Sequence, residues 1–327
     1  MIHEDKPLLS RVADSVYWMA RYIERAENVA RFIEVNLHLQ LDLPPDSSNQ
    51  WQPLIDTSGD TAAFQERYGS ATQSSVIGFL ALDGANPNSI TACLRGAREN
   101  ARSVRETISS EMWEQVNSMY LQIQALRAMP VPERLPEVFR GIRFASHMFQ
   151  GITDATMSHG EGWQFIQLGR YVERSDTLAA LLDTHFDRAA QPADQPVDSG
   201  EYLSWVGLLR GCAAFEAYCQ AHTAEIRPLR VAEFLILNPD LPHSIRFSVD
   251  RMNAALHLIG DLTERREKTP SRIAGRLRAK LSFSQIEEIM AGGVAAYLRS
   301  VRSECAQIHD AIHQIYFDYS VEAELVS

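Results

Sequence analysis

Arginine and glutamate recur at a fixed spacing in this chain, as "RYIERAE" at 21–27 and again as "RYVERSD" at 170–176. Two kinds of chemistry suit such a set. A carboxylate such as Glu24 or Glu173 can take a proton as a general base, and guanidiniums can hold a carboxylate or phosphate through paired hydrogen bonds. At about 100° per residue, Arg21, Glu24, Arg25 and Asn28 share one helix face, opposite the apolar stripe. Arg170, Glu173, Arg174 and Thr177 form the matching face of the second copy. On an exposed helix such i,i+3 and i,i+4 pairs contribute only about 0.2–0.5 kcal/mol each. Trp18 and Phe32 lie on the same side as Arg25, however, and the second copy keeps the order of charges. Two readings stay open: ion pairs at a repeat interface, and a ligand or partner site.

A second constellation is one-sided. Arg95, Arg98, Arg102 and Arg105 form an arginine stripe at helical spacing, with Glu99 and Glu106 beside it. At the matching second-half positions stand Asp250, Asn253, His257 and Gly260, so the stripe is not repeated. Like charges at i,i+3 and i,i+4 repel. Either the neighbouring glutamates compensate, or an anionic ligand or acidic partner surface does. The asymmetry leads to the expectation that function is concentrated in the first half. Trp113, further along, reads as a core residue.

Other chemistries lack their residues. A helical di-metal site needs Glu-x-x-His on two helices, and the nearest approach is Asp310-Ala-Ile-His313. His309 and His313 are four apart but lack the HExxH pattern, and P-loop, GxGxxG and GxSxG motifs are absent. No metal and no cofactor is therefore expected. The four cysteines, Cys93, Cys212, Cys219 and Cys305, form no CxxC pair and read as core thiols in a reducing compartment, with Cys212 and Cys219 two turns apart on one apolar stripe.

The elements that must position these residues are helices. Val16, Met19, Tyr22, Ile23, Ala26, Val29, Ile33 and Leu37 trace a 3.6-residue stripe, and Phe165, Leu168, Tyr171, Val172, Leu178, Leu182 and Phe186 trace the second. Each stripe runs out into a Pro-rich polar loop, "LDLPPDSSNQ" and "AAQPADQPVDSG". "AAFQ" at 62–65 then matches "AAFE" at 213–216, and "VIGFLALDGANPNSI" at 76–90 matches "VAEFLILNPDLPHSI" at 231–245. Three matches in the same order point to an internal duplication, with repeats about 8–156 and 157–316. Ser89 and Ser244 stand where N-caps belong. The spacing predicts one helix from Ile90 through Met119 and another over roughly Glu137–Thr156, and the Gly292-Gly293 pair reads as a helix break or a close packing point. The expected class is all-α: a helical bundle of two duplicated halves about a pseudo-twofold axis, forming one domain over residues 1–327.

A net charge of −11 argues against nucleic-acid binding. No apolar run reaches membrane-span length and "MIHEDKPLLS" has no signal-peptide pattern, which points to the cytoplasm.

The stretches "LSRVADSVYWMARYIERAENVARF", "NPNSITACLRGARENARSVRETISSEMWEQVN" and "VAEFLILNPDLPHSIRF" resemble the bacterial alpha-E family, an all-helical family once described as a domain of unknown function. The resemblance covers nearly the whole chain. Its characteristic residues correspond to Trp18, Arg21, Glu24, Arg25, Glu27, Arg98, Glu99, Asn100, Arg102, Glu111, Trp113 and Asn117. His243 departs, standing where the family usually has arginine. Members are commonly encoded beside, or fused to, a circularly permuted ATP-grasp protein and a transglutaminase-like protein. The resemblance thus implies a role in peptide synthesis or protein modification. Three functions follow as expectations. One is an accessory protein of an ATP-grasp amide ligase that positions an anionic peptide or amino-acid substrate. Another is an enzyme on amide bonds with Glu24 or Glu173 as base, and the third is a structural homo-oligomer.

Overall fold

The computed structural model describes residues 8, 10–42, 50–128, 134–188, 195–197, 199–222, 225–263 and 268–318. All regular structure among them is helical, as the stripes require. The order is α1 (Ser10–Asp42), α2 (Gln52–Ser58), α3 (Thr61–Tyr68), α4 (Gln73–Ile77, continued by a wider π turn at Gly78–Leu82), α5 (Ile90–Ser103), α6 (Ser110–Ala128) and α7 (Leu135–Thr156). It continues as α8 (Glu161–Arg188), α9 (Ser199–Gly211), α10 (Phe215–His222), α11 (Pro228–Leu237), α12 (Ile245–Thr263), α13 (Thr269–Phe283), α14 (Ile286–Gly292) and α15 (Val294–Ile312), closed by a π turn at His313–Phe317. Most of both Pro-rich loops lies outside the described residues.

The two longest helices, α1 and α8, cross at the centre and pack on each other. Around α1 lie α5 and α7, with α6 packed behind both; around α8 lie α12 and α15, with α13 behind both. One hydrophobic core runs through all of these, from Val12 to Tyr316. The crossing is close because Gly169 has no side chain: a Cβ built there would stand 2.3 Å from the Tyr17 carbonyl oxygen.

Helix boundaries follow local chemistry. Ser89 caps α5 by accepting a hydrogen bond from the Ala92 N–H, and Ser244 caps α12 through the Phe247 N–H. Gly293, at φ 93°, ends α14, so of the two readings of the glycine pair the helix break holds and the close packing point does not, since a Cβ at either glycine meets nothing within 4 Å.

Two expectations are corrected. The helix predicted from Ile90 through Met119 is two helices. α5 stops at Ser103, and α6 starts afresh once Ser109 accepts from the Met112 N–H. Val104 and Ile108 stay buried across the break, so the apolar spacing continues while the helix does not. Cys212 and Cys219 do not share a stripe either. α9 ends at Gly211, and Ala213 turns the chain at φ 49° before α10 begins.

Candidate functional site

At the α1–α8 crossing the repeated charges meet one another. Arg21 donates from Nε to Glu173 Oε2 at 2.9 Å. Arg25 grips the same carboxylate from Nε at 2.6 Å and from a terminal nitrogen at 2.9 Å. The pattern reverses across the crossing. Arg174 holds Glu24 from Nε at 2.5 Å and from a terminal nitrogen at 3.0 Å, with Arg170 3.7 Å away. Each helix therefore supplies the carboxylate for the other helix's arginines. The face that solvent would have screened is buried, with Glu24 only 1% exposed. Inside protein such two-pronged pairs are far stronger than surface ones, though they mainly offset the cost of burying the charges.

Electrostatics follow from that geometry. Burial alone would raise the Glu173 carboxyl, but Arg25 and Arg21 outweigh it and bring its pKa down to about 2. Such a carboxylate is a poor proton acceptor at neutral pH, and both of its oxygens are already occupied. Glu24 is equally saturated by Arg174. A general-base role is therefore not what this geometry supports for either residue.

The acid that ends each heptapeptide has its own partner. Glu27, fully buried, accepts from Arg31 at 2.5 Å, Ser146 at 2.8 Å and pairs with His147 at 3.0 Å. Across the crossing, Asp176 takes Arg302 Nε at 3.0 Å. Glu34–Arg143 at 3.0 Å and Asp183–Arg299 at 3.4 Å repeat the scheme one level further out.

Beside the Arg25–Glu173 pair lies a cleft of about 250 Å³. Arg25, Asn28, Asn88, Glu173, Asp176, Thr177 and Arg302 give it polar groups, while Val29, Phe32, Leu54, Leu80 and Ala180 form apolar wall. Arg25 also donates to Asn88 Oδ1 at 2.7 Å, which ties the "NPNS" turn to the cleft. Sequence reasoning missed Asp176, Asn88 and Arg302 as site residues. Asp176 was readable as the last residue of the second heptapeptide. Arg302 carried no sequence signal, because it arrives from α15.

The arginine stripe is elsewhere, on an outer face. Arg95 reaches the Gly84 carbonyl at 3.3 Å, and Arg98 donates to Asn117 Oδ1 at 2.7 Å beneath the Tyr120 ring. Glu99 touches Arg98 at 3.4 Å and Arg102 at 3.9 Å. Arg102 is open to solvent with its side chain 68% exposed. Asn100 lends its carbonyl to the Ser103 hydroxyl at 2.8 Å. Arg105 lies past the end of α5 and rests over Trp113, 4.8 Å from the ring centre. Trp113 is accordingly not core but half-buried under two arginines. The candidate arginines thus fall into two groups: one bound to buried carboxylates at the crossing, and a more open one on α5 and the turn after it.

His309 and His313 pack into an aromatic cluster with Trp18, and His309 Nδ1 bonds the Tyr17 hydroxyl at 2.9 Å. Burial, helped by Arg21, lowers the His309 pKa to about 3. Among the described residues no three His, Cys, Asp or Glu side chains group so as to hold a metal ion. No helix among them is long and apolar enough to cross a membrane.

The family whose description is "a predicted alpha-helical domain with a conserved ER motif" matches residues 8–317. The chain belongs to the Alpha-E family. Its own buried Glu-Arg pairs, at 24–25 and 173–174, are the ones that lock the helix crossing. Similar to this Alpha-E chain is an uncharacterized protein from Mycobacterium bovis, 24% identical over 330 residues, which cover 93% of this chain and 36% of that protein. Uncharacterized proteins from two Mycobacterium tuberculosis strains match over the same shares, at 24% and 23% identity. The chain thus spans about a third of the length of these relatives. No solved structure matches it.

Proposed function

We propose that this Alpha-E chain is a cytoplasmic helical accessory protein of an ATP-grasp amide (peptide) ligase system, and that it helps to position an anionic peptide or amino-acid substrate. The observation that carries this reading is the sorting of the arginines. Those of the ER faces are spent on buried carboxylates whose oxygens they already occupy, which favours binding over catalysis. Those of the stripe lie on the outer face, Arg102 open to solvent, Arg98 half-buried over Tyr120 and Arg105 over Trp113, an arrangement that an acidic partner surface could use. The link to a circularly permuted ATP-grasp protein, with a transglutaminase-like protein as further partner, comes from the family resemblance. A purely structural role, in a homo-oligomer, is the second reading. The saturated ion pairs favour it for the ER motif itself, but they say nothing for the exposed arginines.

The test is co-purification with a circularly permuted ATP-grasp protein from the same genome, together with coupled ADP release. Arg98→Ala or Arg102→Ala should weaken engagement at least tenfold, since a charge-assisted contact desolvated at an interface contributes about 1.5–3 kcal/mol. Asn253→Ala and His257→Ala, at the matching second-half positions, should leave it within twofold. Equal effects from both halves, or arginine variants that only melt earlier, would make the stripe a structural network.

The one-domain architecture is read as an internal duplication. Supporting it are the reciprocal pairs at 24 and 173, the matched pairs of Glu27 and Asp176, and the like surroundings of α1 and α8. Superposing the halves, about 8–156 and 157–316, should lay Glu24 on Glu173 and Phe79 on Phe234; an experimental structure that put these pairs in unrelated places would end the idea.

A further inference from the structure

The two sides of the α1–α8 crossing carry the same pairs but not the same space. On one side Arg31, 3% exposed, lies against Glu27 and His147. The position 149 residues later, on the other helix, is Ala180, and beside it the cleft stands open. One feature there has no structural explanation. Asn28 is 95% buried, lines the cleft, and its side-chain N–H₂ has no hydrogen-bond partner. A buried amide donor left unpaired costs about 1–3 kcal/mol, and a stable fold would gain by replacing it with leucine. Residues kept against stability are a mark of binding sites.

The surrounding groups describe what Asn28 waits for. Arg25 and Glu173 satisfy each other, so their charges are spent. Arg302 and Asp176 are different: they face each other at 3.0 Å with side chains 41% and 39% exposed, one cation and one anion able to take opposite charges from a ligand. Thr177 adds a hydroxyl, and Val29, Phe32, Leu54, Leu80 and Ala180 supply the apolar wall. At about 250 Å³ the cleft lies just below the range of ~300–1,000 Å³ that suits drug-sized ligands, which fits a single small metabolite.

We infer that this cleft binds a free α-amino acid with an apolar side chain. Its carboxylate is met by Asn28 and Arg302, its ammonium by Asp176, and its side chain by the wall around Phe32. The inference rests on the reading that the protein positions a substrate. It goes further in requiring both charges of the zwitterion and in naming the place.

The experiment is isothermal calorimetry and thermal melting of the full chain with L-leucine and L-phenylalanine. It adds N-acetyl-leucine, leucinamide and 4-methylpentanoate, which lack one charge or the other. Leucine or phenylalanine should bind and raise the melting temperature, and each one-charge analogue should bind at least tenfold more weakly. Asn28→Leu should lose the binding tenfold or more while the unliganded protein melts at the same or a higher temperature. Thr177→Val, nearly isosteric, guards against a folding artefact and should weaken binding in the same direction. Should 4-methylpentanoate match leucine, the zwitterion is wrong and an anion site remains. Binding by none of the probes, or full binding by Asn28→Leu, would overturn the site. Co-purification with the ATP-grasp protein does not depend on this cleft, so the accessory reading succeeds or fails separately.

Discussion

Replacing Glu173 by glutamine should lower stability by about 3–5 kcal/mol, the range seen when one partner of a buried ion pair is removed. The shape survives, but Arg21 and Arg25 then face each other in the core with no counter-charge. At roughly 2–4 °C per kcal/mol the melting temperature should fall by on the order of 10 °C. A pH series isolates the cause. The Glu173 pKa is depressed from 4.5 to about 2, so its contribution is complete above pH 4.5 and is lost as pH falls through about 2. That shift is worth on the order of 3 kcal/mol, in agreement with the mutational range. Acid unfolding of the wild type should therefore steepen between these values, and the Glu173→Gln protein should lack that segment. His309, whose pKa is lowered from 6.5 to about 3, contributes a separate loss that begins nearer pH 6.5 and should persist in the variant. A Glu173→Gln protein with an unchanged melting temperature at neutral pH would show that the pair does not hold the crossing.

Gly169→Ala should destabilise the protein even though alanine is the better helix former by about 1 kcal/mol. The added methyl would meet the Tyr17 carbonyl oxygen at 2.3 Å and the Tyr17 Cα at 3.3 Å. Neither atom can rotate aside, because both belong to the backbone of α1. The helices must separate by about an ångström, an overpacking cost of about 1–3 kcal/mol or more, and the arginines a turn away lose their reach to Glu173. Gly151→Ala, on α7 with nothing within 4 Å of the new methyl, is the control and should be neutral or stabilising. The two substitutions are chemically identical, so opposite signs in thermal melting locate the effect in the crossing. Equal signs would refute the close approach.

Much of the fold was readable because it is local. The stripes of α1 and α8 and the capping serines need only a few neighbouring residues to be recognised. The break after Ser103 was hidden for the same reason, since buried Val104 and Ile108 keep the apolar rhythm through a turn that is not helical. The charged faces were ambiguous on different grounds. Whether Glu24 is solvated or locked depends on Arg174, 150 residues away, and no local pattern carries that information. The cleft shows the limit most plainly. Its half-exposed cation comes from α15, and part of its wall is Ala180 on α8, neither of which stands out in the sequence.

The reciprocal pairing at the crossing also sets a timetable for the nascent chain. Arg21 and Arg25 find their counter-charge 152 and 148 residues later. At synthesis rates of about 5–20 residues per second, Arg25 is made roughly 7–30 s before Glu173. Until then Arg21 and Arg25 lack their buried carboxylate, and the apolar stripe is covered chiefly by α5 and α7. Closure of the core must wait for α8, and long-range closure of this kind is slow because its chain entropy is lost before the contacts reward it. The feature that makes the finished crossing firm leaves the unfinished polypeptide exposed, with chaperones as its natural custodians during that interval.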